Sequence, residues 1–194
     1  MIKNIVFDLG NVLVTFKPET FLMDLFHDDE LVEALYSFLF VEHNYWNRYD
    51  QGILSAKDII NSSMKYKKEI ELVMKSWVNY VNPVESSIDV LNQYKDQYNL
   101  YILSNIPEDC YRYLMNHHRL DKYVKGGVYS YAEKRIKPDL EIFKTLLNRY
   151  DLQAEETLFI DDHIDNIQAA SQLGFDTIHL TDISQLKYRI EEKL

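Results

Sequence analysis

The sequence predicts an α/β protein, a doubly wound parallel (Rossmann-like) sheet carrying an inserted all-helical lobe. Three observations predict it. Short β-branched runs alternate with stretches of helical period, the pattern of successive β-α-β crossovers. Several of those runs end on polar residues suited to chemistry, where a sheet of this kind binds its ligands. Between about residues 17 and 82 the alternation stops, and only three-to-four-residue apolar spacing remains.

The elements follow in order. Ile2–Phe7 reads as the first strand, ending at Asp8. Phe21–Phe26, Asp29–Val41, Ser55–Lys67 and Glu69–Tyr80 read as helices with no strand between them, and the chain returns near Pro83. The expected organisation is a core of residues 1–16 and 83–194 and a helical domain of residues 17–82. In the core, helix Val84–Gln97 precedes strand Leu100–Leu103, which runs into Ser104. Helix Cys110–Leu120 precedes the weakest strand, Gly127–Tyr129, before Ser130. Helix Leu140–Tyr150 leads to strand Thr157–Ile160 and Asp161, and helix Ile164–Leu173 leads past Gly174 to strand Thr177–Leu180.

Composition narrows the function classes. The 194 residues, 46% hydrophobic, suffice for one core plus an accessory lobe. With 21 Lys+Arg against 31 Asp+Glu the net charge is −10, which argues against nucleic-acid binding. One cysteine, Cys110, forms no internal disulfide and suits a reducing compartment. No leader-like segment and no long uninterrupted apolar run is visible, so a cytoplasmic location is expected, with no membrane partner. Glycine is scarce, five residues where about 7% is ordinary usage, so each is expected to mark a backbone need, Gly10 included.

Four strand ends carry candidate chemistry. Asp8 reads as a nucleophile or metal ligand, against the plain reading of a turn residue. Ser104 and Asn105 offer a hydroxyl, an amide and backbone N–H groups to phosphate oxygens, against a capping role. Pro138 holds Lys137 extended, aiming its ammonium at a fixed place. Adjacent Asp161 and Asp162 repel each other, and an apolar strand ending in both points to a nearby cation. Hard oxygen ligands favour Mg²⁺. Taken singly, each plain reading is the stronger; four such ends facing one crevice reverse that judgement.

The order Asp8, Ser104, Lys137, Asp161-Asp162 resembles the four motifs of the haloacid dehalogenase-like (HAD) hydrolase superfamily, over nearly the whole chain. Phe7 to Leu13 looks like the first motif, Leu103-Ser104-Asn105 the second, Ser130 through Asp139 the third, and Phe159 to Ala170 the fourth. Within the superfamily the chain is similar to sugar-phosphate phosphatases of the glucose-1-phosphate phosphatase type and to the N-terminal domain of soluble epoxide hydrolases. The helical insert falls where this group carries its cap, and Arg48 to Ser55 looks like the cap's turn.

The resemblance implies a Mg²⁺-dependent phosphomonoester hydrolase of a small phosphorylated metabolite, a sugar phosphate such as an aldose 1-phosphate. It implies attack by Asp8 on phosphorus to give an aspartyl-phosphate, with Mg²⁺ held by Asp8, the Gly10 carbonyl and Asp162. It places Asp161 and Asn166 one layer out from the metal, Ser104 and Asn105 on phosphoryl oxygens, and Lys137 against the charge of nucleophile and phosphate. In the cap, Trp46, Arg48 and Tyr49 are candidates to reach over the substrate; packing between cap helices is the stronger reading for them. A monomer or homodimer is expected.

One departure matters. Most superfamily phosphatases carry a second Asp two residues after the nucleophile as general acid and base, and here that residue is Gly10. His27 and His43 are conceivable substitutes, though each reads better as a solvated helix residue. Lys134, where relatives commonly have Gly, is a second departure, while Cys110 and His117-His118 read as structural. Two alternatives stay open. One is a phosphate-binding or regulatory protein whose catalysis went with the second Asp; the other is a dehalogenase-type hydrolase, which needs no cation.

Overall fold

A computed structural model describes residues 1–194. Five strands form one sheet, β1 (Asn4–Phe7), β2 (Asn99–Ser104), β3 (Gly126–Tyr129), β4 (Thr157–Asp161) and β5 (Asp176–His179), in the order β3-β2-β1-β4-β5. Every pairing is parallel. The chain builds outward from β1 on one side, then returns to add β4 and β5 on the other. Such a reversal opens a crevice at the carboxyl edge beside the first strand.

The strands form because both sheet faces are covered. Ile5 and Phe7 join a buried cluster of 34 residues on one face, and Val6 joins 14 on the other, as side-chain alternation along a strand requires. The larger cluster continues without a break through Leu13 and Val14 into the insertion, where it takes in Phe21, Leu35, Leu39, Trp46 and Trp77.

Between β1 and β2 the chain is helical: α1 (Pro18–Phe26), α2 (Asp29–Tyr36), α3 (Tyr45–Asp50), α4 (Ala56–Ile60) and α5 (Lys67–Ser76), with no strand from Pro18 to Tyr80. The remaining helices are α6 (Glu85–Tyr94), α7 (Glu108–Tyr113), α8 (Ser130–Glu133), α9 (Leu140–Tyr150), α10 (Ile164–Gln172) and α11 (Leu186–Glu191). The chain rejoins the core through a bridge between Val14 and Pro83.

Local differences from the sequence reading have local causes. The expected helix Ser55–Lys67 stops at Ile60. Ser62 then donates to the Ile59 carbonyl at 2.6 Å, and Ser63 accepts from the Tyr66 N–H at 3.1 Å, offering the backbone an alternative to helix. At its start, Ser55 and Asp58 close a reciprocal capping box. Helices α2 and α7 each widen into a π-helical turn, Ser37–Glu42 and Leu114–His118. Helix α3, which no apolar period announces, is held by aromatic packing: Trp46 stacks on Phe40 at 4.4 Å and meets Trp77 edge-on at 4.9 Å.

Candidate active site

The site is built on the carboxyl ends of β1, β2 and β4. Past Asp8 the chain coils on one carbonyl, that of Leu9, which accepts from the N–H groups of Val12, Leu13 and Val14 at 3.2, 2.8 and 2.9 Å. The left-handed residue in this turn is Asn11, at φ 52°, not Gly10. A Cβ added at Gly10 would meet only the Phe16 Cβ, at an ordinary 3.8 Å. The expected backbone need for glycine at position 10 is therefore corrected: Asn11 bears it, as Asn can. The Asn11 side chain donates to Asp162 at 3.0 Å and accepts from the Phe16 N–H at 3.2 Å, tying the first loop to the last.

Lys137 sits at the centre, almost fully buried. Its ammonium lies 2.6 Å from Asp161 Oδ2, 2.8 Å from Asp8 Oδ1 and 2.9 Å from the Leu103 carbonyl. Asn105 fixes its backbone: the amide donates to the Lys137 carbonyl at 3.0 Å and accepts from the Lys137 N–H at 2.8 Å. The Asn105 side chain thus spends its carbonyl and one of its two amide hydrogens on Lys137, which leaves the second amide hydrogen for the phosphate contact expected of it. Ser104 ends β2, buried, on the same edge.

Asp161 is fully buried and its oxygens are occupied within the protein. The His163 N–H donates to Oδ1 at 2.8 Å, and Asn166 donates to both oxygens at 3.0 Å. Together with Lys137 these bonds leave little acceptor capacity, so Asp161 and Asn166 form the mount that holds the lysine. Ligand oxygens of Asp8, Asp161 and Asp162 lie within 4.8 Å of one another.

The electrostatics follow. Burial, opposed by Lys137 and reinforced by Asp161 and Asp162, raises the Asp8 carboxyl to about 6. Burial alone would lower the Lys137 ammonium; Asp161 and Asp8 outweigh it and hold it above the ordinary lysine value. Three carboxylates facing one ammonium leave two negative charges uncompensated when all are ionised. The donor set fits a hard divalent cation. It is all carboxylate oxygen, and Asp8 and Asp162 keep the freer oxygens.

Beside the cluster a cleft of about 380 Å³, partly open to solvent, meets the strand ends at Gly10, Ser104 and Asn105. Nine of its fourteen lining residues are hydrophobic, Phe16, Trp46 and Trp77 among them, so it can take an apolar body. Of the three cap candidates only Trp46 lines it. Arg48 is exposed, and the Tyr49 hydroxyl is bonded to Asp109, which joins the insertion to α7. His27 and His43 are exposed and line no part of the cleft.

The sequence reading missed Asp50. It ends α3, is 9% exposed and lines the cleft. Burial, then Asp8 and Asp109, raise its carboxyl well above the usual value, against the pull of Lys137. The one signal for it was an acidic residue between buried aromatic residues and Gly52, which is not enough to distinguish it from a surface residue.

Fold and site together define a class, an α/β protein with three clustered aspartates and a buried lysine at the carboxyl edge of a doubly wound sheet. The chain belongs to the haloacid dehalogenase-like hydrolases, whose family model matches residues 2–174. It is 27% identical over 185 residues to a sesquiterpene phosphatase of Aspergillus oryzae, covering 93% of this chain and 90% of that one. It is 26% identical over 192 residues to a D-ribitol-5-phosphate phosphatase of Bacteroides thetaiotaomicron, covering 91% of each. Among solved structures, a variant of a HAD family enzyme of Bacteroides thetaiotaomicron, in complex with magnesium and inorganic phosphate, superposes with a TM-score of 0.73 at 21% identity. That match covers 92% of this chain and 93% of the other. A dehalogenase superposes with a TM-score of 0.66 at 18% identity, covering 91% and 83%. The shared fold thus spans both chemistries, and the choice between them has to come from the residues.

Proposed function

We propose that this protein is a Mg²⁺-dependent phosphomonoesterase that works through an aspartyl-phosphate on Asp8. The observation that carries this reading is Lys137 held between Asp8 and Asp161, with Asp162 alongside and an excess of negative charge. A dehalogenase nucleophile needs no such excess, whereas a carboxylate can approach a phosphate dianion only where cations screen both.

Each residue then has a part. Asp8, the Gly10 carbonyl and Asp162 would hold Mg²⁺, which would supply charge neutralisation for nucleophile and phosphoryl group. Asp8 attacks phosphorus. Lys137, kept protonated and fixed by Asp161 and Asn105, stabilises the charge that develops on the phosphoryl oxygens. The Ser104 hydroxyl and nearby backbone N–H groups orient those oxygens. Residues 17–82 act as a cap over residues 1–16 and 83–194, with Trp46 and Trp77 forming its contribution to the cleft wall.

The substrate is a small phosphorylated metabolite, and the cleft favours one whose alcohol has an apolar body. Besides the groups committed to phosphate and to Lys137, the lining offers the Asp50 carboxyl, the Cys110 thiol and the indole N–H groups of Trp46 and Trp77, few partners for a polyol. A polyol would leave several hydroxyls unpaired, at about 1–3 kcal/mol each. A sugar phosphate such as an aldose 1-phosphate is the second reading, favoured by the likeness to a polyol-phosphate phosphatase. A cytoplasmic setting fits the buried, unpaired Cys110, whose thiol burial pushes up.

The test is phosphate release from a panel of prenyl, short alkyl and sugar phosphates, with and without Mg²⁺, for the wild type and Asp8→Asn. Mg²⁺-dependent release that Asp8→Asn abolishes is expected. Chelator-resistant turnover, or full activity in Asp8→Asn, contradicts the reading.

A further inference from the structure

With Gly10 where an acid would stand, the cleft must supply the leaving group's proton from elsewhere. Among its lining residues only Asp50 and Cys110 carry an ionisable group. Asn11 has only amide donors, already turned to Asp162. The Cys110 thiol, with burial as the leading cause and Asp109 and Asp50 adding to it, holds its proton too tightly to give it up near neutral pH.

We propose that Asp50 is the catalytic acid of this enzyme: it reaches the cleft from α3 and hands its proton to the ester oxygen as the phosphorus–oxygen bond breaks. The inference rests on the phosphatase reading above.

The fold fixes the backbone that carries this side chain. The Asp50 carbonyl accepts from Ser130 Oγ at 2.5 Å, and the same hydroxyl accepts from the Ile106 N–H at 2.8 Å. One serine of the core therefore registers the end of α3 against the loop that follows Ser104. Two residues on, Gly52 adopts φ 64°, and a Cβ there would stand 2.8 Å from the Tyr131 carbonyl. Only glycine lets the turn lie this close. Lys134 closes it from the other side, donating to the Gly52 carbonyl at 2.8 Å, and Gln51 returns a bond to the Lys134 carbonyl at 3.2 Å. The departure at Lys134 thus has a use, since it clamps the turn that carries Asp50.

The chemistry balances. Asp8 forms its bond to phosphorus while the bond to the alcohol oxygen breaks. The released electron pair takes the Asp50 proton, giving the free alcohol and an Asp50 carboxylate. Water then attacks the aspartyl-phosphate and passes a proton to that carboxylate, which frees phosphate and resets both aspartates. Burial of Asp50 in the cleft wall favours the protonated start; Asp8 and Asp109 add to it and Lys137, bound to Asp8 and Asp161, opposes it.

The experiment compares Asp50→Asn with the wild type on two Mg²⁺-loaded substrates, 4-nitrophenyl phosphate, whose leaving group needs no proton, and an unactivated alkyl phosphate. The expected result is a loss of about 10²–10⁴-fold in kcat/KM on the alkyl ester, with less than about tenfold on the aryl ester. Asp50→Ser gives the same selective loss with a smaller uncharged side chain, and Asp50→Glu recovers part of the alkyl activity. Equal losses on both substrates, or no loss on the alkyl ester, overturn the proposal. A wild type that hydrolyses neither ester overturns the phosphatase reading instead. Thermal melts and the phosphate-induced melting shift confirm that each variant is folded and still binds.

Discussion

Asp161 and Lys137 meet at 2.6 Å with both side chains withdrawn from solvent. The contact anchors the lysine: Asp161 is bound on its remaining sides by Asn166 and the His163 N–H, and it holds the ammonium in turn. Asp8, at 2.8 Å from the same nitrogen, is the partner that can exchange this contact for a substrate.

Removing either member of the mount should therefore destabilise the protein unequally. Lys137→Met leaves three carboxylates facing one another without a cation and is expected to lower metal-free stability by about 3–5 kcal/mol. Asp161→Asn is expected to cost less, because Asp8 still pairs with the lysine. Urea midpoints in chelator rank the two. The reverse order would show that Asp161, not Lys137, is the keystone.

The raised Asp8 carboxyl gives a signed pH dependence. Its folded value of about 6 lies above the ordinary 3.8, so between these the folded state binds more protons than the unfolded chain. The stability that protonated Asp8 contributes is present below about pH 4 and lost as pH rises through about 6. Metal-free wild type should thus lose melting temperature relative to Asp8→Asn over this range. A difference that stays flat with pH contradicts the assignment.

The same excess charge predicts where metal binding is felt. Mg²⁺ should raise the melting temperature of the wild type, by mass action on the folded state. Asp8→Asn and Asp162→Asn should each remove most of that shift. Asp161→Asn should keep more of it, since the Asp161 oxygens already face protein donors. Thermal melts over a Mg²⁺ titration test the ligand set without an activity assay.

Two glycines should behave oppositely. Gly10→Ala is expected to change stability by less than about 1 kcal/mol, because its φ is ordinary and its Cβ meets only Phe16. Gly52→Ala is expected to cost at least about 1–2 kcal/mol, from a left-handed backbone and the approach to Tyr131. Chemical denaturation of both variants checks the pair.

That contrast also marks how far the sequence can be read. The strands were legible because both sheet faces are covered, so β1, β2 and β4 appear as unbroken apolar runs ending at Asp8, Ser104 and Asp161. Lys137 was legible through the proline that follows it. Scarcity of glycine pointed to Gly10 as a turn residue, yet Asn11 takes the left-handed angle, a choice that spacing does not record. Helix α3 escaped notice because it is stabilised by Phe40, Trp46 and Trp77 rather than by a period of its own. Asp50 escaped with it. Its burial comes from that helix and from Ser130, which stands 80 residues away in the chain.

The central claim, a phosphoryl group carried by Asp8, is tested most directly by rapid acid quench of enzyme, Mg²⁺ and substrate, followed by peptide mass spectrometry. The account predicts a phosphoryl adduct on the peptide containing Asp8, absent in Asp8→Asn and accumulating when the hydrolytic step is slowed. Turnover in ¹⁸O-water should place the label in released phosphate and none in Asp8. Label appearing in the Asp8 carboxyl would mean that water attacks the carboxyl carbon, the dehalogenase route, and would contradict the account.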